Sequence, residues 1–227
     1  QRKYMYQHYF PMKNRNIKSF FIFPFFLSLF FGNDLKSQPA WSFYMKAMEK
    51  KFECHRTRNR TLKCEEALKL FDQAIEEYPN YSAALHERSG IKALIGDIGG
   101  AMNDMDKAIK IEPNNAIFLG QRANMRRRIG NYKGALSDWN KSIKIYPKNV
   151  SSYQNRGSMY QKLGKHDRAI SDFNKAIKLD PKFIGPYLLR AKSFLEINNK
   201  EGACKDWNKS FELGYLQVKK SINSYCN

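Results

Sequence analysis

Cysteine and histidine, which build many metal centres and nucleophilic sites, are both scarce in this sequence. The 227 residues include 4 Cys and 4 His, and no CxxC, HxxxH or HExxH spacing occurs. A phosphate-binding P-loop and a GxSxG nucleophile motif are missing as well. We therefore expect no metal, no other cofactor, no small-molecule substrate and no enzyme activity.

Acidic residues are also few in comparison with basic ones. Asp and Glu number 21 against 40 Lys and Arg, which gives a formal net charge of +19. Such a surplus favours an acidic partner, which would be a protein, a nucleic acid or an anionic membrane surface. A solvated basic surface with no dedicated partner is the alternative interpretation. The 16 Phe and 13 Tyr are too many for a disordered polybasic chain.

Only one long apolar run is present, at residues 19–31. Its 13 residues fall short of the roughly 20 that span a bilayer. A basic stretch precedes it, as in a secretory signal peptide, and contains Lys13, Arg15 and Lys18. We predict that residues 1–37 are an N-terminal extension and signal peptide, and that the exported protein begins at Gln38 with a formal charge of +14. An uncleaved membrane anchor at residues 19–31 is the alternative.

An internal repeat of 34 residues organises the rest of the chain. Prolines recur at this interval at Pro79, Pro113, Pro147 and Pro181. Glycines do so at Gly96, Gly130 and Gly164. One large apolar residue per period follows the same spacing: Phe71, Met105, Trp139, Phe173 and Trp207. Several sets of residues that share one period predict a stack of similar supersecondary units.

Residues 150–183 show the pattern of one unit most clearly. An apolar stripe at helical spacing predicts a first helix that ends at Gly164, because glycine readily adopts the left-handed conformation after a helix. A second apolar stripe predicts a helix that ends before Pro181. The positions that define the unit are Tyr153, Gly157, Tyr160, Ala169, Phe173, Ala176 and Pro181.

These positions match the tetratricopeptide repeat, and the chain resembles that family from about residue 40 to 217. The resemblance implies an all-α fold, a right-handed α-solenoid of antiparallel helix hairpins. Its parts would be an irregular leading hairpin at 38–81, repeats at 82–115, 116–149, 150–183 and 184–217, and a capping end at 218–227. The chain departs from the family pattern at several positions: Lys92 and Arg126 replace the aromatic residue of the first helix, and Ser142 replaces a small alanine. In the last repeat Asn198 replaces the turn glycine, and the terminal proline is missing.

The last repeat has a narrower resemblance. Gly202-Ala203-Cys204-Lys205-Asp206-Trp207, together with the ending Tyr225-Cys226-Asn227, is similar to the closing unit of exported repeat proteins from Bacteroidetes-type bacteria. This resemblance implies export, in agreement with the predicted signal peptide.

An arginine and an aspartate recur in every regular repeat. The arginines are Arg88, Arg122, Arg156 and Arg190, and the aspartates 16 residues later are Asp104, Asp138, Asp172 and Asp206. We expect a structural ion pair between the two helices of each hairpin. Binding of a ligand by the arginines is the alternative, but ligand contacts are seldom copied into every repeat.

The four cysteines lie near the two ends of the repeat array. An even number of cysteines in an exported protein indicates disulfides. We predict the pairs Cys54–Cys64 and Cys204–Cys226, which would close the terminal units that lack a neighbour. Four reduced thiols in a cytosolic protein are the alternative.

The family resemblance also implies a concave groove that is lined by the first helices. Its polar, net basic lining would bind an acidic peptide or protein segment. The residues carried over by position are His86, Gln121, Asn124, Arg127, Arg128, Gln154, Asn155, Ser158, Lys162 and Lys192. The alternative for Arg126 to Arg128 is a solvated helix end that favours cations.

We therefore predict a non-catalytic scaffold that binds a protein or acidic peptide. One alternative is a nucleic-acid-binding repeat protein, which the export signal and the aromatic residues at stacking positions disfavour. The other is a non-catalytic subunit of an envelope enzyme or transport assembly. Contact with a membrane is expected only through an uncleaved signal segment.

Overall fold

The computed structural model of the chain describes residues 38–56 and 60–226. Within these ranges the regular structure is entirely helical, as the repeat pattern predicts. The predicted signal segment lies outside the described residues. The helices are α1 Gln38–Arg56, α2 Arg60–Glu77, α3 Ser82–Leu94, α4 Ile98–Ile111, α5 Ala116–Arg128, α6 Tyr132–Ile145, α7 Val150–Lys162, α8 His166–Leu179, α9 Ile184–Glu196, α10 Lys200–Glu212, a 3₁₀ turn Leu216–Val218 and α11 Lys219–Tyr225.

The helices pack as consecutive hairpins, and each hairpin stacks on the next. The pairs are α1 with α2, α3 with α4, α5 with α6, α7 with α8 and α9 with α10, while α11 closes the array against α10. The core is accordingly a series of local clusters. Trp139, which is fully buried on α6, packs in one cluster with Met159 of the next hairpin. Each hairpin thus buries part of its apolar surface against its neighbour.

Small residues let the two helices of a hairpin cross closely. A Cβ atom added to Gly157 on α7 would lie 2.8 Å from the Phe173 ring and 3.1 Å from Asp172 Cβ. Glycine therefore leaves room there for the large aromatic residue of the second helix. The equivalent residues of the other hairpins are small and buried: Ser89, Ala123 and Ala191.

The turns within the hairpins need a left-handed residue. Gly164 ends α7 with φ of +70°, and Gly96 and Gly130 hold the same place with φ of +95° and +80°. In the last repeat Asn198 has φ of +59°. Asparagine tolerates this conformation better than most residues do, which explains how the turn forms there without glycine.

The two ends of the array are less regular than the repeats between them. In the leading hairpin, predicted at 38–81, α1 runs to Arg56 and α2 begins at Arg60. The capping end, predicted at 218–227, begins within a 3₁₀ turn at Leu216–Val218 and continues as α11. Neither region contains a full 34-residue repeat, so periodicity did not define its boundaries. In the described residues no helix has the length and apolar character needed to cross a membrane.

Candidate functional site

The recurring arginines and aspartates meet inside each regular hairpin. Arg156 on α7 donates from Nε and Nη2 to the two carboxylate oxygens of Asp172 on α8, at 2.8 and 2.6 Å. Asp172 is only 5% exposed. The same two-pronged contact joins Arg88 to Asp104, Arg122 to Asp138 and Arg190 to Asp206, at 2.6 to 2.9 Å. A planar guanidinium suits such a paired contact.

The third arginine nitrogen reaches the preceding hairpin. Nη1 of Arg122 donates to Asp106 on α4 at 2.7 Å, and Nη1 of Arg156 donates to Asn140 on α6 at 2.7 Å. Arg88 contacts Asp72 at 2.6 Å, and Arg190 contacts Asn174. Each arginine therefore joins three helices from two hairpins. Sequence reasoning missed this contact, although an Asp or Asn stands 16 residues before every one of the four arginines.

The guanidinium groups stay charged in these partly buried places. Burial is the largest effect on Arg88 and lowers its pKa, but hydrogen bonds and Coulombic attraction to Asp104 and Asp72 raise the pKa overall. For Arg122 the hydrogen bond to Asp138 is the largest effect, and the pKa is again raised. An arginine with a raised pKa cannot act as a general acid or base near neutral pH. The arrangement is suited to joining helices.

Two of the departures from the family pattern, Lys92 and Arg126, belong to the same clusters. Lys92 Nζ lies 2.8 Å from Asp104 Oδ2, and Arg126 Nη1 lies 2.8 Å from Asp138 Oδ2. In the third and fourth hairpins the equivalent residues are Tyr160 and Phe194. The guanidinium of Arg156 is 5.9 Å from the centre of the Tyr160 ring, and that of Arg190 is 5.7 Å from the centre of the Phe194 ring.

The residues predicted to line a groove lie on the first helices α3, α5, α7 and α9. We call them the first-helix face. Its amide, hydroxyl and imidazole residues are half-buried, whereas its four cations are exposed. The half-buried residues are His86, Gln121, Asn124, Gln154, Asn155 and Ser158, and the exposed cations are Arg127, Arg128, Lys162 and Lys192.

Two of these cations contact the preceding hairpin. Arg128 donates to the carbonyl oxygen of Ala93 at 3.1 Å, near the end of α3. Lys162 donates to the Tyr132 hydroxyl at 2.6 Å and lies 4.6 Å from the centre of that ring. They occupy equivalent positions 34 residues apart, so they connect adjacent hairpins in similar ways. Sequence reasoning had treated both residues as partner-binding cations.

Two polar atoms on the first-helix face are buried without a hydrogen-bond partner among the described residues. They are Nε2 of His86 and Oε1 of Gln154, at equivalent positions of the first and third repeats. His86 stacks on Phe118 of the next hairpin, with ring centres 4.9 Å apart. The Gln154 oxygen packs against Gly185, 2.5 Å from the point where a Cβ atom on that residue would lie. Buried polar atoms usually have partners, so both atoms have unused hydrogen-bonding capacity.

The leading hairpin is joined to this face by a separate ion pair. Lys51 on α1 donates to Glu87 on α3, and His86 Nδ1 lies 3.4 Å from the same carboxylate. Burial is the largest single effect on Glu87 and raises its pKa. The hydrogen bond from His86 and the charge of Lys51 outweigh it, so the pKa is lowered to about 2. Glu87 is therefore ionised at any ordinary pH.

The four cysteines lie in two neighbouring pairs. The Cα atoms of Cys54 and Cys64 are 5.0 Å apart, and those of Cys204 and Cys226 are 5.6 Å apart. Both separations fall in the range that a disulfide requires. Across the described residues no three His, Cys, Asp or Glu side chains form a group that could hold a metal ion.

Comparisons with known proteins agree with this architecture. The tetratricopeptide repeat family model matches residues 150–183. A search of curated protein sequences gives no match. Among solved structures, residues 41 to the end of MamA from Desulfovibrio magneticus RS-1 are similar with a TM-score of 0.62 and 23% identity, over 76% of this chain and 97% of that one.

Two other solved structures have the same fold. PilF of Pseudomonas aeruginosa is similar with a TM-score of 0.70 and 14% identity, over 83% of this chain and 86% of that one. YrrB, described as a TPR protein with an unusual peptide-binding site, has a TM-score of 0.59 and 16% identity, over 71% and 84%.

The fold and the repeated clusters define a helical repeat protein, a stack of two-helix units joined by residues that recur at the 34-residue period. Residues 150–183 are a tetratricopeptide repeat, and the chain has the solenoid fold of tetratricopeptide repeat proteins. Proteins of this kind typically mediate contacts between proteins and are generally non-catalytic.

Proposed function

We propose that this chain is a non-catalytic scaffold and that its first-helix face is a concave groove for an extended acidic segment of a protein partner. The observation that carries the proposal is the row of half-buried amide and hydroxyl side chains beside exposed cations on the first-helix face. An extended peptide has free backbone N–H and C=O groups at regular intervals. The partly accessible amide groups of Gln121, Asn124 and Asn155 can donate to and accept from such backbone groups.

The charge of the face supports an acidic partner. Arg127 and Lys192 are exposed and form no ion pair with another described residue. Arg128 and Lys162 add positive charge while they hold adjacent hairpins together. Exposed cations beside half-buried amides would attract carboxylates while the amides bind the backbone. The similar protein YrrB is described as having a peptide-binding site, which is consistent with a peptide as the ligand of this face.

The proposed setting is outside the cytoplasm. The signal-like segment at residues 1–37 and the two neighbouring cysteine pairs support it. Disulfides persist in such compartments and would hold the two ends of the array closed. Mass spectrometry of the protein isolated from its host, without reducing agent, tests this setting. A chain that begins near Gln38 and has no free thiol is expected, whereas an intact N-terminus with four free thiols would contradict it.

An array of acidic ten-residue peptides with free and amidated C-termini tests the groove. The double variant Arg127→Glu/Lys192→Glu should weaken binding by about 100-fold, because two attractions become two repulsions. The variant Asn124→Leu should weaken binding by about tenfold, because it removes an amide that can pair with the peptide backbone. Affinities measured by fluorescence anisotropy at two salt concentrations would separate the two effects, since only the first is screened.

A matched control changes the same number of charges on the opposite side of the hairpins. Lys141→Glu/Lys175→Glu alters two exposed lysines of the second helices. It should leave peptide affinity within about threefold of the wild-type value at physiological salt. Equal losses in both double variants would mean that net charge, rather than the first-helix face, determines binding. Absence of binding to any acidic peptide would refute the proposed partner class.

A further inference from the structure

A second basic surface lies on the second helices of the three central hairpins. Lysines recur there at two positions of the 34-residue period, three residues apart on the same helix. All of them are exposed. We call this set the lysine ridge; it comprises Lys107 and Lys110 on α4, Lys141 and Lys144 on α6, and Lys175 and Lys178 on α8.

The lysine ridge points away from the core. On α8 the buried residues are Ala169, Asp172, Phe173 and Ala176. An α-helix turns about 100° per residue, so Lys175 and Lys178 lie about 240° and 180° around the helix from Ala169. Lys178 therefore lies on the outermost line of the helix, and Lys175 lies on the exposed flank beside it. The first-helix face belongs to the other helix of each hairpin, so both surfaces can be occupied at once.

The positive charge of the ridge is not neutralised by neighbouring acids. Among the described residues, none of its six lysines forms an ion pair, and the nearby Asp106 is held by Arg122. The aspartates Asp104, Asp138 and Asp172 of the same helices are buried with their arginines. A surface that served only to keep the protein soluble would normally carry interspersed positive and negative side chains.

The ridge ends at both sides of the central hairpins. On α10 the equivalent Lys209 lies 2.9 Å from Glu212, which occupies the place of Lys178. On α2 the two equivalent residues are Gln73 and Glu76. The uncompensated lysines are thus confined to α4, α6 and α8.

The composition around the ridge indicates the kind of partner. No large exposed apolar or aromatic side chain lies on α4, α6 or α8, so these helices offer nothing to stack on bases or to insert into a bilayer core. Lysines are flexible point charges and lack the planar fork that recognises one particular anion. Their neighbours on the outer line are small polar residues: Asn103, Ser137 and Ser171.

We propose that the lysine ridge docks the protein on an anionic lipid surface, with the first-helix face left free for a partner. Clusters of four to eight basic residues bind such surfaces through charge alone. An extended surface of negative headgroups matches six lysines spread over three helices better than one polymer strand does.

Co-flotation of the full chain with lipid vesicles tests the proposal. The vesicles contain about a third phosphatidylserine, or phosphatidylcholine alone, and the second type measures any contribution of residues 1–37. The ridge variant carries Lys141→Gln, Lys144→Gln, Lys175→Gln and Lys178→Gln. Its partition onto the anionic vesicles should fall by at least about tenfold, and wild-type binding should weaken as salt is raised.

A charge-matched control also removes four exposed lysines, all outside the ridge: Lys165→Gln, Lys200→Gln, Lys219→Gln and Lys220→Gln. Its partition should stay within about threefold of the wild-type value. Circular dichroism melts of both variants verify that the fold is kept. Equal losses in the two variants, or equal wild-type binding to both vesicle types, would overturn the proposal. So would ridge-dependent binding to heparin or to an oligonucleotide without any binding to anionic vesicles.

Discussion

The first two regular hairpins and the last two build the same arginine–aspartate contact from different neighbours. In the first two, the arginine also touches an aspartate of the preceding hairpin, and a second cation touches the buried aspartate. In the last two, an asparagine replaces the outer aspartate and an aromatic ring replaces the second cation. The sets are Asp72, Arg88, Lys92 and Asp104; Asp106, Arg122, Arg126 and Asp138; Asn140, Arg156, Tyr160 and Asp172; and Asn174, Arg190, Phe194 and Asp206.

Every set has a formal charge of zero. Two cations balance two anions in the first pair of hairpins, and one cation balances one anion in the last pair. Burial of an unbalanced charge costs far more than burial of a balanced pair. The arginine–aspartate contact is therefore the same in all four hairpins, whereas the two residues around it vary. The variation keeps the formal charge of each set at zero.

The largest effect is expected when a buried aspartate of the last pair loses its only cation. Arg156→Met leaves Asp172 buried with no cation, so we expect a loss of about 4 kcal/mol in the free energy of unfolding. Arg122→Met should cost about half as much, because Arg126 still contacts Asp138. Urea denaturation, compared through midpoints at equal slope, measures both.

The double variant Arg156→Met/Asp172→Leu is the control for this first experiment. It removes both charges and should recover most of the loss, because apolar replacement of a buried ion pair is often nearly neutral. Equal destabilisation by Arg156→Met and Arg122→Met would show that the second cation contributes nothing, and the comparison of the two regions would fail.

A third kind of junction joins the leading hairpin to the first regular one, and its contribution to the free energy of unfolding should depend on pH. The pKa of Glu87 is lowered to about 2 in the folded protein, while an unfolded glutamate titrates near 4.3. Its contribution is present in full above the unfolded value and is lost as pH falls from about 4.5 to about 2. We expect Glu87→Gln to cost about 2 kcal/mol at pH 7 and little at pH 2.

Chemical denaturation of the wild type and of Glu87→Gln at pH 7, 4 and 2.5 checks this expectation. The exposed Glu201→Gln serves as the control, since its side chain is not buried. A constant difference between wild type and Glu87→Gln over the whole pH range would mean that the charge of Glu87 is not what joins the two hairpins.

Two substitutions that give the second set the composition of the third set test directly whether each set must be neutral. Arg126→Tyr leaves an excess negative charge in the second set and should cost about 1.5 kcal/mol. Asp106→Asn alone should cost only about 0.5 kcal/mol, because Asp106 is half exposed. Together they reproduce the composition of the third set, and the double variant should be about 1 kcal/mol more stable than the sum of the two changes predicts.

The matched control combines Arg126→Tyr with Asp72→Asn, which changes the same charges in two different sets. Here the two effects should simply add, because the residues share no partner. If both combinations behave alike in a double-mutant cycle measured by urea denaturation, overall charge rather than local neutrality decides stability.

Much of this architecture could be predicted from periodicity. The 34-residue spacing indicates the hairpins, and the constant separation of 16 residues indicates that Arg156 meets Asp172. The contact from Arg156 to Asn140 also has a constant spacing, but its partner alternates between Asp and Asn, which hides the pattern. The role of Lys92 was missed because the family pattern has an aromatic residue there, and only packing shows that its amine reaches Asp104.

The candidate binding face was less predictable than the fold. Position in the repeat indicates which residues lie on the first helices, but not which of them are already engaged. Arg128 and Lys162 are long enough to reach back to the preceding hairpin, and this depends on the relative position of two units. Unused hydrogen-bonding capacity, as in Gln154, is likewise a property of packing that no spacing reveals.

The smallest effect concerns the start of the second helices, where the third hairpin differs from its neighbours. Asn131 caps α6 by accepting a hydrogen bond from Gly134 N at 2.9 Å, whereas Lys165 at the start of α8 makes no such bond. Asn131→Ala should therefore cost about 1 kcal/mol and Lys165→Ala less than about 0.5 kcal/mol. Thermal unfolding of the two variants measures the difference, and equal shifts would contradict it.

The residue three positions after each cap makes this last comparison sharper. A Cβ added to Gly134 would lie 2.8 Å from the Asn131 side chain, so glycine leaves room for the cap there. Beside Lys165 the equivalent residue is Arg168, which has a Cβ. We therefore expect Lys165→Asn to raise the free energy of unfolding by clearly less than the roughly 1 kcal/mol that a typical N-cap contributes. If thermal unfolding shows that Lys165→Asn is more stable by this full amount, glycine is not needed for the cap and is present at Gly134 for another reason.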